Sequence, residues 1–334
     1  MTQWLNLTDE QRRNTIAIVA EQESLSSNAV EKDWWVTLVL RAIFSTTYKN
    51  SLIFKGGTSL SKGWALIQRL SEDIDLALDR TVIGDGYGAG KLSVRMLERL
   101  RNESIAFVAG DFKHALEGSL AALGLSATRY RIAQDDVDHS DPNLLVEYDS
   151  LYAPLQYLPP RVKIEISTRS LREPFSNRPV RSFIGTSFPD EEFAEQPTDI
   201  PTVEPKRTFL EKAFLLHEEF LKQPENIRVY RMSRHLYDLE KMMDTAHGLE
   251  ALHDVELYNQ VVAHRSLFYK RGHVDYKTHA PATIDFIPPA AILEQVEKDY
   301  TDMANMMFYG KQLKFNEVIM RLTQLKQRFR DIKS

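Results

Sequence analysis

The feature that most restricts this chain is a pair of short apolar runs set around a double glycine. Residues 51–54 form the first run, which ends at Lys55-Gly56-Gly57 and leads into Thr58-Ser59-Leu60-Ser61-Lys62. An apolar run, paired glycines and then a mixed segment read as strand, tight turn and helix. The spacing predicts that this helix ends near Arg69. Residues 74–78 read as a second strand, and Asp73-Ile74-Asp75 opens it sixteen residues beyond Gly57. Strand alternation puts both carboxylates on one face. The glycines let a ligand approach the backbone, and the N–H groups at a helix start form an anion site. Thr58 and Ser59 add hydroxyl donors. Two carboxylates on a rigid strand suit Mg²⁺ (or Mn²⁺), which takes hard oxygen ligands and shares them with substrate phosphates. A phosphate cradle beside a dicarboxylate metal site is the minimal equipment for metal-assisted phosphoryl or nucleotidyl transfer.

The rest of the chain gives this motif a setting. Residues 8–23 read as a helix with Thr8 as N-cap and Gln11 completing a capping box. Residues 27–44 read as a second helix, with Val30, Trp34, Leu38 and Ala42 on one apolar stripe. Four glycines lie within residues 81–90, but Gly90-Lys91 is followed by Leu92, so the segment fails as a P-loop and reads as a mobile loop. Helix is expected over 91–123, and strands over 128–133, 144–148 and 162–167. The first two of these flank an acidic turn, as a hairpin would. Residues 185–205 carry four prolines and six acids with no base, which marks them as a linker. Helical spacing dominates after it, over 209–221, 232–243, 252–267 and 290–330. The predicted class is α+β: a mixed sheet flanked by helices over residues 1–200, followed by an all-helical domain over 201–334.

Composition closes off other chemistries. The 334 residues include no cysteine, which excludes disulfides, Cys-ligated zinc, iron–sulfur clusters and thiol nucleophiles. No run approaches the roughly 18 apolar residues of a membrane span, and no signal peptide is visible. A cytoplasmic protein is expected. The net charge of −5 argues on its own against an electrostatic nucleic-acid binder. That average conceals segregation. Residues 161–181 hold six bases against two acids, and 311–334 hold seven against two. Interleaved with Phe183 or Phe329, these stripes would suit an RNA backbone, or they are ordinary solvated faces.

Lys55-Gly56-Gly57-Thr58, followed by Arg69-Leu70-Ser71-Glu72-Asp73-Ile74-Asp75-Leu76, resembles the signature of AbiEii/AbiGii-type nucleotidyltransferase toxins. These belong to the DNA polymerase β-like nucleotidyltransferase superfamily. The resemblance extends upstream to Glu31-Lys32-Asp33-Trp34. Downstream it takes in Val162-Lys163-Ile164-Glu165-Ile166, Leu210-Glu211-Lys212 and Arg234-His235-Leu236-Tyr237-Asp238-Leu239, while residues beyond 245 match nothing. It implies that Glu165 completes a metal site with Asp73 and Asp75. Alternation agrees, since Lys163, Glu165 and Ser167 share a face. It further implies that Lys212 holds the triphosphate and that Asp238 is functional. A surface pair between Arg234 and Asp238, at i and i+4, would explain those two equally well, and the resemblance favours function. His235 stands where the family often has Asp. The nucleotide-binding set is then Gly56, Gly57, Thr58, Ser59, Lys62 and Lys212. Arg69 belongs to it too, if it contacts phosphate rather than bracing the Asp strand.

The reaction this implies is transfer of a nucleoside monophosphate from a nucleoside triphosphate to RNA. The 3′ end of tRNA is the foremost acceptor, and the enzyme acts as a toxin, in a toxin–antitoxin or phage abortive-infection system, checked by a cognate antitoxin. A nucleotidyltransferase acting on a protein or small molecule, or a non-catalytic interaction module, are the alternatives.

Overall fold

A computed structural model describes residues 3–88, 92–135, 142–155, 158–269 and 271–332. The chain divides into two compact units. The first comprises Met1–Trp64 and Leu70–Val203, the second Ala65–Arg69 and Glu204–Ser334.

The first unit is built on a seven-stranded mixed sheet with flanking helices. Its strands are β1 (Leu52–Lys55), β2 (Ile74–Leu78), β3 (Tyr130–Gln134), β4 (Asn143–Tyr148), β5 (Arg161–Ser167), β6 (Phe175–Val180) and β7 (Thr198–Val203). They lie in the order β3-β4-β5-β2-β1-β7-β6. β2 runs parallel to β5 and β1 parallel to β7, and the other neighbours are antiparallel. Alternation sorts the faces. Leu52, Phe54, Ile74, Leu76, Leu144, Val146, Val162, Ile164 and Ile166 all join one buried core. The hairpin expected from the acidic turn is present as β3 and β4. The turn itself lies outside the described residues, as do Gly90 and Lys91.

Helices pack on that core: the helical stretch 94–122, through Val108, Phe112, Leu116 and Leu120, and two helices nearer the N-terminus. Thr8 caps Asp9–Glu23 with a full capping box, and the Ser26 side chain accepts from the Ala29 N–H to start Ser27–Ile43. This second helix is not amphipathic with one stripe; it is buried on nearly every side. Its three consecutive charges therefore each need a partner. Glu31 accepts from the Ser150 hydroxyl and the Leu151 N–H. Lys32 pairs with Glu72 and donates to the Pro159 carbonyl. Asp33 pairs with Lys62 and accepts from the Phe183 N–H.

Two expectations are corrected here. The helix after the double glycine does not reach Arg69. It is a short turn over Gly56–Thr58 that widens into a π-helix over Ser59–Gly63 and stops. Tertiary hydrogen bonds end it: Arg178 Nε donates to the Gly63 carbonyl at 3.0 Å, and Trp64 Nε1 to that of Val203 at 3.0 Å. The acidic, proline-rich stretch is not a linker either. Its last third is β7, an interior strand in which Pro201 faces Asn177 and Thr202 faces Phe54.

The second unit is helical: Pro205–Phe220, Ser233–Met242, Ala246–His253, Val255–Phe268, Leu293–Met307 and Phe315–Arg330. The helix expected over 252–267 starts at Val255, because Asp254 caps it by accepting from the Leu257 N–H. The long helix expected over 290–330 is broken between Met307 and Phe315. There Phe308 makes a β-bridge with Arg69, and the Tyr309 N–H donates to the Gln68 carbonyl. Those contacts attach segment 65–69 to this unit.

Candidate active site

The face of the sheet opposite the core carries a row of polar residues. Lys55 on β1 is the register partner of Asp75 on β2, Asp75 of Glu165 on β5, and Glu165 of Asn143 on β4. Residues paired across neighbouring strands point to the same side, so the four stand side by side. The Asp75 and Glu165 carboxyls lie close enough to influence each other's titration. Lys163 Nζ reaches Glu165 Oε1 at 2.8 Å and Asp135 Oδ2 at 3.6 Å. Burial pushes the Glu165 carboxyl up, but the charge and hydrogen bond of Lys163, with Lys55 and Asp75 behind them, hold it below the ordinary range. Asp73 lies one residue before β2, and its charge acts on Lys163.

Among the described residues no three acidic or imidazole groups converge tightly enough to form a ready metal cluster. The donor set nonetheless suits a hard cation. Two carboxylates pair across β2 and β5, with a third, Asp73, just before β2. Asp75 and Glu165 are its convergent pair. Asn143 stands beside them and was not visible as a site residue in the sequence. It is 2% exposed, and neither its Nδ2 nor its Oδ1 has a hydrogen-bond partner among the described residues.

The glycine turn is fitted to these acids. Gly56 has φ +78°, and a Cβ added there would lie 1.9 Å from Asp75 Oδ2. The Thr58 hydroxyl is held by Ser71 Oγ and the Asp73 carbonyl, and the Ser59 hydroxyl donates to the Gly56 carbonyl. Both hydroxyls fix the turn and the Asp strand instead of pointing outward. Lys62 is drawn away as well: its ammonium is buried against Asp33 at 2.5 Å.

The second unit brings together three other expected residues. Asp238 is fully buried. Its Oδ1 accepts from Arg69 Nε at 2.7 Å, and its Oδ2 accepts from Arg69 Nη2 and Lys212 Nζ, each at 2.8 Å. Burial pushes Asp238 up, and the charges of Arg69 and Lys212 bring it down to about 2. The surface pair with Arg234 is thus replaced by a buried clamp on Arg69. Both carboxylate oxygens are engaged by these two cations. His235 Nδ1 lies 3.4 Å from Lys212 Nζ, and burial with the charge of Lys212 keeps the ring neutral.

Part of each basic stretch is paired within the fold. Arg321 pairs with Glu240 and Asp244, Arg328 with Asp244 and Lys326 with Asp285, while Phe329 is fully buried. In the other stretch Arg172 pairs with Asp79, Arg178 stacks over Trp64, and Arg181 donates to the Glu195 carbonyl. The sequence shows local charge but not the acids that fold against it.

A family model described as "Nucleotidyl transferase AbiEii toxin, Type IV TA system" matches residues 38–331. The match includes the helices beyond residue 245, for which no sequence motif was found. No curated protein matches the chain. Among the described residues no helix is long and apolar enough to cross a membrane.

Proposed function

The chain belongs to the AbiEii family of nucleotidyl transferase toxins of type IV toxin–antitoxin systems, and from that premise we propose a specific reaction. The protein transfers a nucleoside monophosphate from a nucleoside triphosphate to the 3′ end of an RNA, foremost tRNA, with release of pyrophosphate. A cognate antitoxin restrains it. The observation that carries this reading is the pairing of Asp75 with Glu165 across β2 and β5 on the face of the sheet opposite the core, with Asp73 two residues before Asp75.

Asp73, Asp75 and Glu165 would hold Mg²⁺ or Mn²⁺, which supplies charge for the phosphates and activates the acceptor hydroxyl when bound. Lys163 then has to leave Glu165, and it becomes a mobile cation on the same face. Lys55, beside Asp75, keeps that face from being purely acidic before nucleotide arrives. Gly56 and Gly57 leave backbone N–H groups open beside the acids, while Thr58 locks the turn to the Asp73 carbonyl. Asp238 holds Arg69 and Lys212 charged and oriented, the two cations assigned to the triphosphate. Most of the acceleration in such a site comes from positioning and charge stabilisation.

The test is incorporation of label from each of four α-labelled triphosphates into purified tRNA. One triphosphate is expected to label RNA, and Asp73→Ala or Asp75→Ala to reduce it more than about 100-fold. Labelling that survives both substitutions overturns the metal-site reading. A protein or small-molecule acceptor is the second reading, favoured by the internal ion pairs of both basic stretches. It gives a labelled protein band or soluble product with tRNA left untouched.

A further inference from the structure

Asn143 is a buried amide with no hydrogen-bond partner among the described residues, set in a row of charged residues, and such groups are rare enough in folded proteins to call for a cause. Leu144, next in the chain, packs in the core against Ile164 on β5, which fixes Asn143 on the opposite face with Glu165. Side chains paired in this way sit about 5 Å apart at Cβ, within reach of one hydrogen bond. Glu165 is meanwhile engaged by Lys163 and Asp75. A carboxylate that turns to ligate a cation loses the lysine and needs a new donor, and ligating carboxylates are regularly held by one from outside the ligand set.

We propose that Asn143 is the positioning residue for Glu165: its Nδ2 donates to the carboxylate once Lys163 has been displaced by a divalent cation. In the structure as it stands, Lys163 fills that role and Asn143 waits unpaired. The proposal rests on the metal-dependent reading above. It adds a neutral amide to a site otherwise composed of acids and lysines, and it explains a polar group that folding alone leaves unsatisfied. Replacing an orphaned amide by an apolar side chain of similar shape does not harm a fold. A purely structural role and this one therefore predict different outcomes.

The experiment is Mn²⁺ titration of the chelator-stripped full chain, followed by the electron paramagnetic resonance signal of free Mn²⁺, with a thermal melt of each variant. Asn143→Leu is expected to melt at or above the wild-type temperature and to bind Mn²⁺ about 10-fold or more weakly. Asn143→Asp, which offers a ligand but no donor, is expected to gain nothing over wild type. Wild-type affinity in a folded Asn143→Leu protein overturns the proposal alone. Tighter binding by Asn143→Asp also overturns it, since the side chain then ligates instead of donating. A wild-type protein that binds no Mn²⁺ overturns this proposal together with the metal-site reading.

Discussion

Gly56 shows how one residue couples the turn to the acids. Its φ of +78° is unfavourable for any side chain, and the space a Cβ would occupy already belongs to Asp75 Oδ2. Gly56→Ala is expected to cost about 1–2 kcal/mol from the backbone alone. It should also reduce nucleotide incorporation far more than stability, because the carboxylate must move. Urea unfolding and the labelling assay measure the two effects, and unchanged incorporation would disconnect the turn from the acids. Asp238 is the opposite case, a carboxylate with no freedom. Asp238→Asn removes the carboxylate charge that Asp238 supplies to buried Arg69 and Lys212, which typically costs about 3–5 kcal/mol. The sequence exposed the acids and the glycines because their spacing is local. It did not expose that Arg69 and Asp238, separated by 169 positions, are partners.

At the scale of an element, the helix Ser27–Ile43 organises the first unit through charges more than through its apolar face. Lys32 reaches Glu72, the residue before Asp73, and Asp33 reaches Lys62, which follows the glycine turn. One helix thereby holds both flanks of the motif. Lys32→Met is expected to destabilise the protein by about 3–5 kcal/mol, since it removes the lysine charge paired with buried Glu72. Lys32→Met combined with Glu72→Met should recover most of that loss, and a double-mutant cycle in urea gives the coupling. Additive losses would mean that the pair contributes nothing. The helix itself was legible from its cap and its apolar spacing. The burial of residues 31–33 was not, because three consecutive charges read as a solvated edge unless the rest of the helix is known to be buried. β7 was missed for a related reason. Proline and acid content signal a linker, but Thr202 and Val203 pack beside β1 regardless of what precedes them. The double-glycine helix was overextended because the hydrogen bonds that end it come from Arg178 and to Val203, more than 110 positions away.

On the scale of the molecule, the net charge of −5 is redistributed by folding into pairs. Arg321 and Arg328 face Asp244, and Arg321 also faces Glu240. These partly exposed pairs contribute at most about 1 kcal/mol each. Arg321→Ala and Arg328→Ala are accordingly expected to lower stability slightly and to leave RNA labelling within about twofold. A tenfold loss of labelling would restore the C-terminal stretch as an RNA surface.

Acid should divide the molecule in a way two spectroscopic signals can resolve. The second unit buries Asp238 and Glu218 as ions. Burial pushes both carboxyls up, but Arg69 and Lys212 bring Asp238 to about 2, and Arg265 with His279 bring Glu218 to about 2. A carboxyl whose pKa is depressed by folding stabilises the folded state above its unfolded value, and that stability is lost as pH falls toward the folded value. From starting values of 3.8 and 4.5, the two contribute about 2–4 kcal/mol each, which disappears between roughly pH 4.5 and 2. His235 and His217 begin the loss earlier. Burial keeps both rings neutral in the fold, so only the unfolded chain takes up their protons as pH drops below about 6.5. In the first unit burial instead raises Glu31 and Asp33, and acid relieves that penalty. All four tryptophans, Trp4, Trp34, Trp35 and Trp64, belong to the first unit. Acid titration from pH 7 to 2 is therefore expected to reduce the far-ultraviolet circular dichroism of the helices before it shifts tryptophan emission. Glu165 in the first unit is also held below its ordinary range, so the two units differ in degree, and coincident transitions would show that they unfold as one cooperative body.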